Sequence, residues 1–131
     1  MIVLDTHVWL WWLHDPDQLS KAAAELIQKE EQLQGLIVSV ISVWEVAVKV
    51  QIGKLVLPLD ISTWFSAAQS YPGFTMKPLQ PDVAIESTRL PGDFHKDPAD
   101  RIIVALARRY GLHLVTCDSK LLKYEHVQTV W

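Results

Sequence analysis

The stretch "DPADRIIVALARRYGLHLVTCD", residues 97–118, contains the unit from which the fold can be predicted. Residues 98–110 have the apolar periodicity of a helix, with Asp97 as its N-cap and Pro98 at its first position. "HLVT" (113–116) then forms a short apolar strand, and Asp118 follows that strand. A helix, a buried strand and an acidic residue therefore succeed one another within this one stretch.

The same alternation of strands and helices continues in both directions along the chain. The other predicted strands are "MIVL" (1–4), "LIVSV" (36–40), "FTMKPL" (74–79) and "VQTV" (127–130). The other predicted helices cover residues 6–13, 19–33 (Ser20 as N-cap, ended by Gly35), 41–52 (ended by Gly53), 60–71 and 81–90, with a short one in "DSKLLKY" (118–124). This order predicts a single domain over residues 1–131, an α/β fold with three layers (α/β/α) around a central parallel sheet of four to five strands.

Composition sets further limits on the kind of protein. A chain of 131 residues, half of them hydrophobic, can bury a packed core. The net charge of −3 does not indicate a nucleic-acid binder, although carboxylates gathered to bind cations would produce the same value. Cys117 is the single cysteine, so no internal disulfide can form and a cytoplasmic location is expected. No signal peptide or membrane span is predicted, because the apolar run "VWLWWL" (8–13) is far shorter than the ~20 residues that a span needs.

Four acidic residues occur where predicted strands give way to helices. Asp5 follows the first strand and Asp118 a later one, while Glu45 and Asp100 lie near the beginnings of helices. The carboxyl ends of parallel strands meet at one edge of a sheet, where ligands bind. These four carboxylates are therefore expected to converge, although they are far apart in sequence.

Helix capping is an alternative explanation for each acid taken singly. Asp5, Asp97 and Asp118 precede helices, and "SVWE" (42–45) matches a capping box in which Ser42 caps and Glu45 reaches back. Capping does not explain why several helix starts at one edge all use carboxylates. Carboxylates held together repel one another, and a hard divalent cation removes that conflict. All-oxygen ligands select Mg²⁺ or Mn²⁺, and such a site is suited to hydrolysis of phosphodiesters.

The motifs together resemble those of a known family. "LDTHVWLWW" (4–12), "SVWEVAVKVQIGKL" (42–55), "LPGDFHKDPADRIIVALAR" (90–108) and "LVTCDSKL" (114–121) resemble the successive motifs of PIN-domain proteins, in particular of the bacterial VapC-like branch. The resemblance spans the chain in the correct order. Cys117 is a mild departure, since the family more often has a polar, charged or small residue at that position.

The resemblance implies both an activity and a set of site residues. It implies a Mg²⁺- or Mn²⁺-dependent ribonuclease that acts on RNA, forms homodimers and serves as a toxin neutralised by a small antitoxin. By the same resemblance, Asp5, Glu45, Asp100 and Asp118 correspond to the acidic metal-site quartet of the family. Asp97 is a further acid typical of this branch, and is either a helix cap only or an acid that contacts the metal or supports its ligands.

Five other residues are candidates for supporting the site. Thr116 has the strand parity to hydrogen-bond a site carboxylate, and Ser42 is a helix cap that can also support the site. Arg101 can orient Asp100 or contact RNA phosphate, but an ion pair with Asp97 is favoured. His7 and His95 lie next to site acids, and each has a structural as well as a functional interpretation.

Lysines and tryptophans near the motifs suggest further contacts. Lys49 is one helical turn after Glu45, so an ion pair between them is expected, although with Lys54 it can instead line the approach of the substrate. Three tryptophans, Trp9, Trp11 and Trp12, occur on one short predicted helix. A single buried stripe does not accommodate all three, so at least one is expected to contact a partner.

Two other functions compete with the nuclease. A PIN module that has lost catalysis would bind RNA or protein only, but retention of all four acids argues against it. A receiver domain that accepts a phosphoryl group is also a parallel sheet with acids at its strand ends. It needs adjacent acids after the first strand, and "IVLDTH" (2–7) has only one.

Overall fold

The computed structural model describes residues 1–131 and contains five short strands connected by helices. The strands are β1 (Ile2–Leu4), β2 (Leu36–Ser39), β3 (Phe74–Lys77), β4 (His113–Val115) and β5 (Thr129–Val130). The helices are α1 (Thr6–His14), α2 (Lys21–Gln32), α3 (Val40–Gln51), α4 (Ile61–Gln69), α5 (Pro81–Glu86), α6 (Pro98–Tyr110) and α7 (Ser119–Leu122). None of these helices is long and apolar enough to cross a membrane.

All five strands are parallel and lie in the order β3-β2-β1-β4-β5. β1 is central, with Ile2 beside Leu36 of β2 and His113 of β4. The chain moves outward from β1 through β2 to β3, and then crosses back to β4 and β5. The sheet therefore has its topological switch point between β1 and β4, where ligands bind in folds of this type.

Helices cover both faces of the sheet, as the uninterrupted apolar strands predicted. Ile2 and Leu4 of β1 point to a core that also contains side chains of α1, α2, α3 and α4. Val3 points to the opposite face and packs in a second core with α5, α6 and α7. The predicted three-layer α/β fold with a parallel sheet is confirmed, and the strand count is five.

The element boundaries differ from the predicted ones where local chemistry is decisive. α6 has the predicted bounds, with Asp97 as N-cap. β3 ends at Lys77 rather than at residue 79, because Pro78 has no N–H to donate to a neighbouring strand. α5 ends at Glu86 rather than at residue 90, and residues 87–89 form turns. After α2 the left-handed residue is Gln34 (φ 55°) rather than Gly35.

Candidate functional site

A polar pocket of about 290 Å³ lies at the carboxyl edge of the sheet, beside the switch point. Ten residues line it, and none is hydrophobic: Asp5, Thr6, His7, Glu45, Lys49, His95, Asp97, Asp100, Asp118 and Lys120. The four acids singled out in the sequence thus meet in one pocket together with Asp97. We call it the acidic pocket.

Asp5 lies at the floor of the acidic pocket, directly after the central strand. It is 6% exposed, and each of its carboxylate oxygens accepts one hydrogen bond. Oδ1 accepts from the backbone N–H of Thr6 (2.8 Å), and Oδ2 accepts from the Thr116 hydroxyl (2.7 Å). Burial raises the pKa of Asp5, while these two hydrogen bonds act in the opposite direction. Asp5 is therefore a helix cap and a pocket acid at once.

Glu45 enters the pocket from α3 and is held by Thr6. The Thr6 hydroxyl donates to Glu45 Oε1 at 2.6 Å and lies 2.7 Å from the Ser42 hydroxyl. Burial raises the pKa of Glu45, and the hydrogen bond from Thr6 lowers it. The predicted capping box is wrong, because α3 begins at Val40 and its cap is Ser39, which accepts from the backbone N–H of Ile41. Ser42 is instead a fully buried residue within the helix.

Thr6 was not predicted as a site residue, and its two hydrogen bonds allow a test. Thr6→Val keeps the shape of the side chain but leaves the buried Ser42 hydroxyl and Glu45 without this partner. We expect the free energy of unfolding to fall by about 1–3 kcal/mol, measured by urea denaturation. Thr75→Val, at an exposed strand position, is the matched control and should change stability little. Equal stability of the two variants would show that the Thr6 hydrogen bonds contribute nothing.

Asp97 and Asp100 come from the beginning of α6. Asp97 is exposed and caps the helix, accepting from the backbone N–H of Asp100 at 3.0 Å. Asp100 is half-buried, and its pKa is raised to about 7, first by burial and then by the negative charges of Asp5, Asp97, Glu45 and Asp118. The carboxyl of Asp100 therefore keeps its proton to a much higher pH than an exposed aspartate does.

Asp118 is held on the other side of the switch point by its own helix and by Thr116. Its carboxylate accepts from the backbone N–H of Lys120 (2.8 Å), and its backbone N–H donates to the Thr116 hydroxyl (3.1 Å). Thr116 is fully buried and also donates to Asp5, as the strand parity suggested. One hydroxyl thus connects the acids that follow β1 and β4.

His95 and Arg101 occupy the α6 side of the pocket. His95 Nε2 lies 3.1 Å from Asp100 Oδ2, without an aligned hydrogen bond between them. The predicted ion pair of Arg101 with Asp97 is wrong. Arg101 donates to three backbone carbonyls, of Ser87 (2.9 Å), Phe94 (3.2 Å) and His95 (3.2 Å), and thereby fixes the loop that carries His95.

Basic residues also line the acidic pocket. Lys49 does not pair with Glu45 as expected, but places its Nζ 3.3 Å from His7 Nε2. Burial and the charge of Lys49 lower the pKa of His7. Lys120 also lines the pocket, and the only sequence signal for this role is its position two residues after Asp118. Lys54, which was a candidate, does not line the pocket. Cys117 lies outside the pocket, and burial raises the pKa of its thiol, which fits a packing role.

The donor chemistry of the pocket fits a hard divalent cation. Carboxylate oxygens dominate, and the charges of the neighbouring acids add to burial in raising the pKa of Asp100. No three of the His, Cys, Asp or Glu side chains surround a common point as a complete set of ligands. Mg²⁺ does not require one, because it commonly keeps several waters and takes only one or two carboxylates directly.

The family assignment agrees with this geometry. The model of the PIN domain family matches residues 2–127, so the chain belongs to the PIN domain family. Membership of this family rules out the alternative that the protein is a receiver domain.

One curated relative and two solved structures show what the chain is similar to. The chain is 33% identical to Ribonuclease VapC22 of Mycobacterium tuberculosis, over 99% of this chain and 98% of the relative. Its fold is similar to a chain in the VapBC2 structure from Rickettsia felis bound to a promoter DNA fragment (TM-score 0.71, 13% identity, 99% and 98% of the two chains). A chain in DNA-bound VapBC from Salmonella typhimurium is equally similar (TM-score 0.71, 14% identity, 99% and 98%).

Proposed function

We propose that this protein is a divalent-metal-dependent endoribonuclease and the toxin of a VapBC-like toxin–antitoxin pair. The observation that carries the proposal is the acidic pocket, in which Asp5, Glu45, Asp100 and Asp118 gather at the switch point of a PIN domain. The relative that is 33% identical over nearly the whole chain is named a ribonuclease, which supports RNA as the substrate. A cytoplasmic location goes with this proposal.

In this mechanism one or two of the four acids would bind Mg²⁺ or Mn²⁺ directly and the others through its waters, and Asp97 lines the same pocket. When bound, such an ion would supply a water of lowered pKa and positive charge next to the scissile phosphate. Thr116 and the Thr6 backbone N–H fix both oxygens of Asp5, and Thr6 fixes Glu45. Ser42 and Arg101 are positioning residues that act through Thr6 and through the loop of His95.

Basic and imidazole side chains that line the acidic pocket are assigned to contacts with the RNA substrate. Lys49 and Lys120 supply positive charge on the lining of a pocket that would otherwise repel RNA phosphate. His7 lies beside Lys49, and His95 beside Asp100, so either imidazole can bind a phosphate oxygen or exchange a proton with the substrate.

The proposal is tested by incubating the purified protein with total RNA in the presence of EDTA, Mg²⁺ or Mn²⁺. Cleavage is expected with either cation and not with EDTA.

A second candidate function, a PIN module that binds RNA or protein without cutting, is favoured by the absence of three donors around one point. RNA binding without cleavage under all three conditions would support that module and contradict the nuclease.

An antitoxin is proposed as the protein partner, since the similar solved structures are VapBC complexes. A groove of about 540 Å³ lies beside the acidic pocket and shares His7 with it. It is lined mainly by apolar side chains of α1 and of the connection that follows α3: Leu10, Trp11, Leu55, Val56, Leu57 and Pro58, with His7, His14 and Asp15. An apolar antitoxin segment lying here could extend an Arg or Lys side chain to the carboxylates and displace the metal.

The tryptophans of α1 divide between core and groove. Trp9 is fully buried, against Trp64 and Phe74. Trp12 is half-buried and packs on Tyr71 and Phe74. Trp11 is half-buried and is the only one of the three tryptophans that lines the groove. We therefore propose Trp11 as the residue that anchors the antitoxin.

Trp11→Ala is expected to weaken antitoxin binding by about 2 kcal/mol or more, because an aromatic anchor in a groove contributes most of its binding energy through buried area. Isothermal titration with the purified antitoxin measures the change. Trp44→Ala, at a tryptophan that is 56% exposed and outside the groove, is the control. Equal affinity of both variants would contradict the groove as the antitoxin site.

The homodimer is a separate part of the proposal, and light scattering after size exclusion tests it.

A further inference from the structure

A second pocket, of about 450 Å³, adjoins the acidic pocket and shares His95 and Lys120 with it. We propose that this pocket binds one unpaired nucleotide of the RNA, next to the phosphate that is cut. The inference rests on the proposed ribonuclease function and adds a subsite to it. We call this pocket the nucleotide pocket.

Aromatic rings form one wall of the nucleotide pocket. The ring centroid of Phe94 lies 4.4 Å from that of His95 and 4.5 Å from that of Tyr124, and the Tyr124 centroid lies 5.4 Å from that of His126. The His95 and His126 side chains are 24% and 37% exposed, so both rings are accessible from the pocket. Exposed rings on which bases stack are a common feature of proteins that bind single-stranded nucleic acids.

The wall is held in place before any ligand binds. The Tyr124 hydroxyl donates to the Pro91 carbonyl, and Arg108 donates to the carbonyl of His126. Arg101 donates in addition to the carbonyls of Phe94 and His95. The aromatic wall is therefore fixed to the body of the protein, which lowers the entropic cost of binding.

The charges around the pocket match the two parts of a nucleotide. Lys120 and Lys123 are exposed at the rim, where they can contact backbone phosphates. Asp93 and Glu125 also line the pocket, and a carboxylate accepts hydrogen bonds from the amino and imino groups of an unpaired base. A purely cationic patch would attract any polyanion, whereas this combination favours a base together with its phosphate.

Binding is measured with the Asp5→Asn variant, which is designed not to cut, and with fluorescent single-stranded oligoribonucleotides of about ten nucleotides. Adding Lys123→Gln is expected to weaken binding roughly threefold to tenfold and to lower the salt dependence, the slope of log K against log salt, by about 0.7. Adding His126→Ala is expected to weaken binding roughly fivefold or more, with less change in that slope. Lys29→Gln, at an exposed position of α2, is the matched control and should leave affinity and slope unchanged.

A photo-crosslinking experiment locates the RNA directly. Oligoribonucleotides that contain 4-thiouridine are expected to crosslink to peptides that include residues 92–95 or 120–126. Crosslinks confined to the groove of Trp11, or affinities of Lys123→Gln and His126→Ala equal to that of Lys29→Gln, would overturn the nucleotide pocket while cleavage by the wild type persists. If the wild type cuts no RNA and Asp5→Asn binds none, the proposed ribonuclease function itself is wrong, and the subsite falls with it.

Discussion

Asp5→Asn is expected to lower the rate of RNA cleavage by at least about 1,000-fold, the scale of effect seen when a central group of an active site is removed. The substitution keeps the shape of the side chain but removes its negative charge. Asp5 is the most buried of the pocket acids, and both of its oxygens are fixed by Thr6 and Thr116. An amide there would not supply the negative charge that the proposed metal site takes from Asp5.

The fold should survive this change. The oxygen of the introduced amide would still accept from the Thr6 N–H, and Thr116 has a hydroxyl oxygen that can accept from the amide nitrogen. Because the substitution removes one of several repelling carboxylates, the melting temperature without metal should be equal to or above that of the wild type. Asp17→Asn, at an exposed acid outside the pocket, is the control and should retain full activity. Wild-type cleavage by Asp5→Asn would make the proposed mechanism wrong.

The layout of the site was predictable because the sheet is parallel. Asp5 and Asp118 follow adjacent strands, and adjacent parallel strands bring the residues after them to the same edge. α6 was predicted to the residue, since Asp97 and Pro98 begin it and its apolar periodicity is uninterrupted. Patterns with a local cause, such as a cap or a strand end, can be recognised from sequence.

Contacts made across the fold were not predictable in the same way. At the junction of β2 and α3 no loop intervenes, and both Ser39 and Ser42 could cap a helix. In the structure Ser42 lies inside the helix, and the Thr6 hydroxyl contacts both Ser42 and Glu45. These contacts depend on the tertiary fold. Arg101 was expected to form an ion pair with Asp97, but it donates instead to three backbone carbonyls of residues 87–95. The geometry of that loop is not encoded in any short motif.

In the absence of metal, the protein is expected to lose stability as the pH rises from about 4 to about 7. The pKa of Asp100 is raised from 3.8 to about 7 in the folded protein, so over this window the folded state retains a proton that the unfolded chain has released. Stability falls with pH wherever the folded state binds more protons. The full shift corresponds to at most about 4 kcal/mol, and the raised pKa values of Asp5 and Glu45 act in the same direction.

Asp100→Asn isolates this effect from the other titrating groups. The lowered pKa of His7 opposes the trend, because the folded state releases its proton first and stability then rises with pH up to about 6.5. The difference in melting temperature between Asp100→Asn and wild type cancels that contribution and is expected to grow from pH 4 to pH 7, reaching several degrees. Scanning calorimetry in EDTA measures it, with Asp17→Asn as the control whose difference from wild type stays constant.

Mg²⁺ is expected to change this pH dependence, because a cation bound among the carboxylates would offset both the burial and the neighbouring negative charges that raise the pKa of Asp100. Saturating Mg²⁺ should raise the melting temperature of the wild type at pH 8 and much less at pH 5, where protons already neutralise the pocket. The same addition should have little effect on Asp100→Asn at either pH. A melting temperature that is indifferent to Mg²⁺ at pH 8 would mean that the acidic pocket does not bind the ion. A Mg²⁺ effect of equal size in Asp100→Asn would place the ion away from this residue.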